Sequence, residues 1–385
     1  MEGPAEQSRS EVREAARAVL EAHWVPEGYA APNPATYPWQ WLWDSCFHAV
    51  CWAGLGDDRA LTELQTALSV QSEDGFVPHM NYARNPGAAV DLWGREGASS
   101  ITQPPMYGHA VAELVRRGAY VDPETVARAE HGLRFLLFDR HRLPSGLVAL
   151  CHPWESGADD SPRWDDNCPG GFSLEAWRRT KNQLVMSIER SSARSPVANP
   201  AFESASAGFN ALVVFNAWEL AAVAGRSEAT DRADELAGHL AARWDGSLRT
   251  WADAGACESG SGRARTLDGL LPMLVSAEPE RIDAVAADLV DSAAYGGGCG
   301  PAGVHRQEPG FDPRAYWRGP AWPQLSYLMW VGLRRHGRVE AAEAVASTTV
   351  RGAMRSGFAE YWDPDNGAGG GAVPQSWAAL AALMA

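Results

Sequence analysis

ASAGFNALVVFNAWELAAVAG at 205–225, followed at once by SEATDRADELAGHLAARW at 227–244, decides the fold class. Each stretch carries apolar residues at helical spacing, and Gly225 breaks them apart. The pair predicts two helices joined by a short turn. The same reading extends along the chain. Helices are predicted at 8–23, from Asp44 to Gly54 or Gly56, and at 57–71, 104–118 and 122–141. Others follow at 173–190, 266–274, 278–290, 320–337, 339–354 and 374–385. Asp122-Pro123 supplies an N-cap followed by proline at the first helical position, and Gly118 a C-cap. Strand candidates are brief, GLVAL at 146–150 and SLRTW at 247–251, with no βαβ rhythm. Residues 72–87 read as a long loop. Periodicity alone therefore predicts an all-α chain; an open helical solenoid would leave the same trace. No linker or compositional break divides it, so residues 1–385 are expected to form one domain.

The composition narrows the function. The formal charge is −15 with no basic stripe, which argues against nucleic acid and anionic membrane partners. No uninterrupted apolar run of membrane-spanning length stands out and no secretory leader pattern opens the chain, so a cytoplasmic protein is expected. Six cysteines without a CxxC pair read as free thiols. The sequence says nothing of the oligomeric state.

Tryptophan occurs 17 times, against 9 Tyr and 10 Phe, and many copies sit beside Pro, Gly or Asp. Tryptophans at turns often face a cleft, where a broad apolar ring stacks on a ligand such as a sugar. The alternative is that they fill gaps at helix ends. The polar and aromatic motifs concentrate between helices: YPWQWLWDS (37–45), DGFVPH (74–79), TQPP (102–105), HPWESGADDSPRWD (152–165), YWRGPAW (316–322) and GFAEYWDP (357–364). Loops drawn from distant parts of the chain suggest one shared cleft.

Glycosidic hydrolysis needs two carboxyl groups, one to protonate the leaving oxygen and one to activate water or attack carbon. The 152–165 loop offers Glu155, Asp159, Asp160 and Asp165; the 357–364 loop offers Glu360 and Asp363, with Asp365 just beyond. A neutral-pH acid needs apolar surroundings or nearby negative charge. Trp154 and Trp164 supply the former, and the crowded carboxylates the latter. Composition does not choose among the four candidates.

These motifs resemble the (α/α)6-barrel glycoside hydrolases of family 63 and their kin, which include processing α-glucosidases, trehalases and bacterial mannosylglycerate and glucosylglycerate hydrolases. The resemblance spans residues 37–364 and rests on WDS, GFVPH, TQPP, HPWESGxDxSPRWD, YWRGPxW and FxEYWDP. It implies an (α/α)6 toroid with long catalytic loops and an inverting, exo-acting α-glycosidase. Asp159 then falls on the general acid and Glu360 on the general base, with room for a water between carboxyls roughly 6.5–9.5 Å apart. Asp44 and Arg163 look like partners of sugar hydroxyls. Trp41, Trp43, Trp317 and Trp322 resemble the walls of the sugar subsite, with Gln103 and Arg318 as polar contacts. Glu155 and Asp165 become hydroxyl-binding or supporting candidates, and Trp164 a tuner of the acid. Relatives often carry Asn after the acid, where this chain has Asp160, whose role the sequence does not explain.

The substrate implied is a small glycoside, with glucosylglycerate or mannosylglycerate foremost and a trehalose-like disaccharide or short α-glucoside next. A glycerate carboxylate would call for Arg318, Lys181, His79 or the Tyr37 hydroxyl. His79 and His152 are expected in the cleft. No metal or organic cofactor is required. Asp44, His48 and Cys51 form a DxxxHxxC pattern without a fourth ligand, so zinc is not expected. There is no GxSxG elbow. GAGGGA at 367–372 lacks the lysine of a phosphate loop and reads as a flexible loop beside Glu360, with a lid hinge as one role. A sugar epimerase or lyase would favour His or Tyr at the reacting centre. A non-catalytic sugar-binding protein would not need both Asp159 and Glu360.

Overall fold

In the computed structural model, which describes residues 4–168 and 170–385, the opening pair of stretches forms helices Ala207–Ala224 and Glu228–Ala241. The first is apolar nearly all round and buried along all but its last turn, apart from Trp218. By length and hydropathy it could cross a membrane, yet 72% of it is enclosed by the rest of the protein. The second buries Ala229, Thr230, Ala233, Leu236 and Leu240, a single helical stripe, and starts on a Ser227–Thr230 capping box. One is an inner helix and the other an outer one.

That alternation repeats six times. Outer helices Pro4–His23, Arg59–Leu68, Pro123–Arg134, Glu228–Ala241, Pro279–Val290 and Val339–Ser356 each lead to an inner element. The inner elements are Leu42–Gly54, Tyr107–Arg116, Ala207–Ala224, Leu267–Leu274, Pro323–Arg335, and the turn Ser376–Leu380 continuing into Ala381–Met384. Each inner element touches the next, and the sixth touches the first, so the ring closes as an (α/α)6 barrel. The β-structure comprises six two-stranded ribbons and isolated bridges among the described residues.

Several boundaries differ from the sequence reading. The second helix starts at Leu42, which puts Asp44 inside its first turn instead of at the cap. Leu267–Leu274 is a 3-10 helix because Pro272 interrupts α-helical hydrogen bonding. The 173–190 segment stops at Met186, and Glu189–Arg190 pairs with Pro196–Ala198. Of the strand candidates, Thr250–Trp251 pairs with Trp244–Asp245, while Val148 and Leu150 make only isolated bridges.

The connections are unequal. Inner-to-outer turns take three to six residues, while every outer-to-inner connection takes at least 18. All long loops therefore arrive at one end of the barrel, where the inner helices begin. Down the axis from that end, Trp43 packs on Phe47, Phe47 on Tyr327, and Tyr327 on His109.

Candidate active site

The long loops converge on an open cavity lined by Pro32, Tyr37, Trp41, Trp43, Asp44, Gln103, Gly157, Asp159, Tyr316, Trp317, Glu360, Gln375 and Trp377. Five of the six outer-to-inner connections contribute. Asp159 and Glu360, which are 201 positions apart in sequence, thus share one wall system.

Glu360 is buried and fixed on both sides. Its Oε2 accepts from the Ala372 N–H (2.9 Å), and its own N–H donates to the Ala372 carbonyl (2.8 Å). The Tyr37 hydroxyl lies 3.2 Å from both carboxylate oxygens. Trp377 Nε1 donates to the Glu360 carbonyl (3.0 Å). The GAGGGA segment is not a loose hinge: Gly369–Gly370 pairs with Tyr361–Trp362 as an antiparallel ribbon. At Gly371 φ is +70°, and a Cβ there would sit 2.3 Å from Glu360 Oε2. Only glycine lets the backbone close around this carboxylate.

The aromatic walls are built in layers. Trp317 stacks on Trp322 with centroids 3.8 Å apart and planes 10° apart, and faces Trp43 at 6.4 Å. Trp317 holds a left-handed backbone (φ 59°), an unfavourable state for a bulky residue and one that clusters at functional sites. Gly157 leaves room for Trp43, since a Cβ there would meet the indole at 2.5 Å. Asp44 Oδ1 accepts from Gln375 Nε2 (3.2 Å), and Gln103 Oε1 accepts from the Trp43 N–H (3.4 Å).

Residues 37–378 match the family described as the mannosylglycerate hydrolase MGH1-like glycoside hydrolase domain. This chain is a member of that glycoside hydrolase family. The hydrolase is 29% identical to the mannosylglycerate hydrolase of Thermus thermophilus, over 92% of this chain and 96% of that one. It is 30% identical to mannosylglycerate hydrolase MGH2 of Selaginella moellendorffii, over 97% and 85% respectively. A crystal structure of a family 63 mannosylglycerate hydrolase from Thermus thermophilus, in complex with Tris and D-glycerate, superposes with a TM-score of 0.85 at 26% identity. That match covers 97% of this chain and 99% of the other.

In the hydrolase the two carboxyls sit in different fields. Burial pushes Asp159 up to about 8; Lys181 opposes this, while Asp160, Glu360 and Asp44 add to it. Burial raises Glu360 only to about 6, because the Ala372 N–H and the Tyr37 hydroxyl stabilise its anion. The proton is therefore held more tightly on Asp159 than on Glu360. Asp44 is likewise raised by burial to about 6.

Several expected site residues lie behind the cavity walls. Arg163 is buried with both its arms occupied, by Asp253 (2.8 Å) and Asp268 (2.6 Å), so it ties the acid loop to the barrel and does not line the cavity. Glu155 is fully buried and accepts from Arg140 (2.6 Å), the Cys151 N–H (2.6 Å) and the Thr102 N–H (3.2 Å). It joins the 102–105 and 152–165 loops. Trp164 donates to the Ala158 carbonyl (2.9 Å) beneath the loop. Trp322 underlies Trp317 and does not touch the cavity. Arg318 is held bidentately by Asp165 at 2.8 and 2.7 Å. His79 bonds Ser99 Oγ (2.6 Å) and braces Trp41; burial lowers it to about 3, leaving it neutral. His152 bonds the Lys181 carbonyl and is also lowered by burial to about 3. Lys181 pairs with Asp160 (2.7 Å). Apart from Tyr37, none of the groups expected to meet a glycerate carboxylate lines the cavity.

Tyr316, Gln375, Trp377, Pro32 and Gly157 complete the wall, and the sequence assigns none of them a role there. Tyr316 sits inside a quoted motif. The PQSW stretch reads only as a helix start, although its Trp, three residues after Pro374, fits the pattern of the other cleft tryptophans. His48, of the DxxxHxxC pattern, faces Glu63 (3.3 Å) in a buried network with Ser45. A second His–carboxylate group, His109, Glu113 and Glu219, lies low in the barrel, where Arg116 and Arg335 already occupy Glu219.

Proposed function

We propose that the hydrolase cleaves a small α-glycoside with inversion, releasing one hexose, and that α-mannosylglycerate or α-glucosylglycerate is its substrate. Asp159 protonates the leaving oxygen. Glu360 takes a proton from the water that attacks the anomeric carbon from the opposite face. The observation that carries this reading is the pair of carboxyls in one cavity, with Glu360 held by the Ala372 N–H and the Tyr37 hydroxyl and Asp159 raised by burial. The lining suits one sugar ring, with Trp43 and Trp317 against its apolar face and Asp44 and Gln375 toward its hydroxyls. The glycerate choice rests on the names of the relatives.

Incubation with each glycerate glycoside, followed by NMR, tests it: the β-anomer should appear first. Initial release of the α-anomer would overturn inversion. Asp159→Asn should lose natural-substrate turnover by more than about 1,000-fold but keep cleavage of an α-glycosyl fluoride, whose leaving group needs no proton. Glu360→Gln should lose both.

A second reading, a neutral aglycone such as a polyol, is favoured by one observation: no Lys, Arg or His lines the cavity among the described residues. Glucosylglycerol cleaved with higher kcat/KM than glucosylglycerate would favour it.

A further inference from the structure

Lys181 is the sole lysine among the 33 Lys and Arg residues of this chain. It is buried, which is uncommon for lysine, and its ammonium lies 2.7 Å from Asp160 Oδ1, one residue from Asp159. Two indole faces enclose it, Trp154 at 5.4 Å and Trp177 at 5.6 Å. The helix that carries it, Leu174–Met186, is not one of the twelve barrel elements. It grips the 152–160 loop at two further points. Trp177 Nε1 donates to the Asp159 carbonyl (2.8 Å), and the Lys181 carbonyl accepts from His152 Nε2 (2.9 Å). Arg318 adds a hydrogen bond to the Asp160 carbonyl (3.3 Å).

We propose that Lys181, through its ion pair with Asp160, is a positioning residue that fixes the Asp159 carboxyl at the cavity wall and balances the charge around it, so that Asp159 can hold a proton and still give it up. The argument rests on the reading of Asp159 as the acid. Asp160 alone would place a second buried anion beside Asp159 and make it a weaker proton donor. Lys181 alone would strip Asp159 of its proton. The pair brings opposite charges to bear on Asp159, and the acid responds to their difference. The other groups facing Asp159 are Glu360 and Asp44 across the cavity and the hydroxyls of Tyr37 and Tyr316. Those facing Lys181 are Asp160, His152 and Cys168. A compact ammonium fits between two indoles and one carboxylate oxygen, where a planar guanidinium would present its fork to a single acceptor. This accounts for one lysine in a chain that otherwise uses arginine for its side-chain cations.

The test is a pH cycle on kcat/KM with the better of the two glycerate glycosides. Lys181→Met should move the alkaline limb up by about one pH unit, Asp160→Asn should move it down by a similar amount, and the double variant should return it toward the parent position. A merely structural role would lower activity without opposite shifts. Single variants that shift the limb the same way, or leave it in place while thermal melts show a folded protein, would overturn the proposal. Since a lone charged partner can destabilise the fold, the double variant keeps the test valid. Lysine labelled with 13C at Cε gives one resonance. It should show a titration step at the alkaline limb that disappears in Asp159→Asn. Persistence of that step would overturn the link to Asp159. This readout needs no turnover, so it separates the pair's role from a wrong substrate.

Discussion

The Tyr37 hydroxyl stands 3.2 Å from both carboxylate oxygens of Glu360, so one donor on the first long loop serves an acceptor on the last. Removing it takes away a bond that favours the Glu360 anion. Tyr37→Phe should raise the Glu360 pKa, shift the acidic limb of kcat/KM upward and lower kcat by about 10-fold at neutral pH. A pH–rate profile on the variant checks both effects.

Gly371 predicts a sharper effect. Alanine there brings a Cβ into Glu360 Oε2 and forces a left-handed backbone on a residue that resists it. Gly371→Ala should cost ~100-fold or more in kcat, with a far smaller change in melting temperature, since the displaced group is the carboxylate itself. Steady-state kinetics beside a thermal melt distinguishes this from global unfolding.

The pH–activity profile should be bell-shaped. Glu360 must be ionised, so activity rises as pH passes about 6; Asp159 must be protonated, so it falls above about 8. Asp44, also raised to about 6, contributes to the acidic limb, and Asp44→Asn should leave the Glu360 step there alone. A profile of kcat/KM in the free enzyme checks the two limbs.

Stability should carry the same signature. Asp159 keeps its proton in the folded protein up to about 8 but releases it near 3.8 when unfolded. Its contribution to stability is therefore complete below about 4 and is lost as pH rises to about 8. Asp159→Asn has no such loss. Its melting temperature should exceed the parent's by a margin that grows between pH 4 and pH 8 and then levels off, as melts across that range would show.

The helical periodicity makes the outer ring legible, because an outer helix shows one buried stripe, as Ala229, Ala233, Leu236 and Leu240 do. The inner element Leu267–Leu274 is harder: it is apolar enough for a helix, and only Pro272 betrays its tighter winding. At the site, the motif loops point to the correct region but not to which polar residues face inward. Arg163 looks like a ligand for sugar because its carboxylate partners are invisible locally. Asp253 and Asp268 lie 90 and 105 residues from Arg163. The same distance effect hides the function of Asp160, whose counter-ion sits 21 residues on. The glycines of 367–372 read as mobile for want of side chains, whereas the fold uses that lack of side chains to pack backbone against Glu360.

The short turns on the far side of the barrel set an order of events. Phe47, Tyr327 and His109 pack along the axis below Trp43, so the cavity opens on the side of the long loops. In the proposed reaction the substrate enters sugar first, so the aglycone stands between the freed hexose and the exit. The aglycone leaves before the sugar, and the hexose becomes the product that competes with the next substrate.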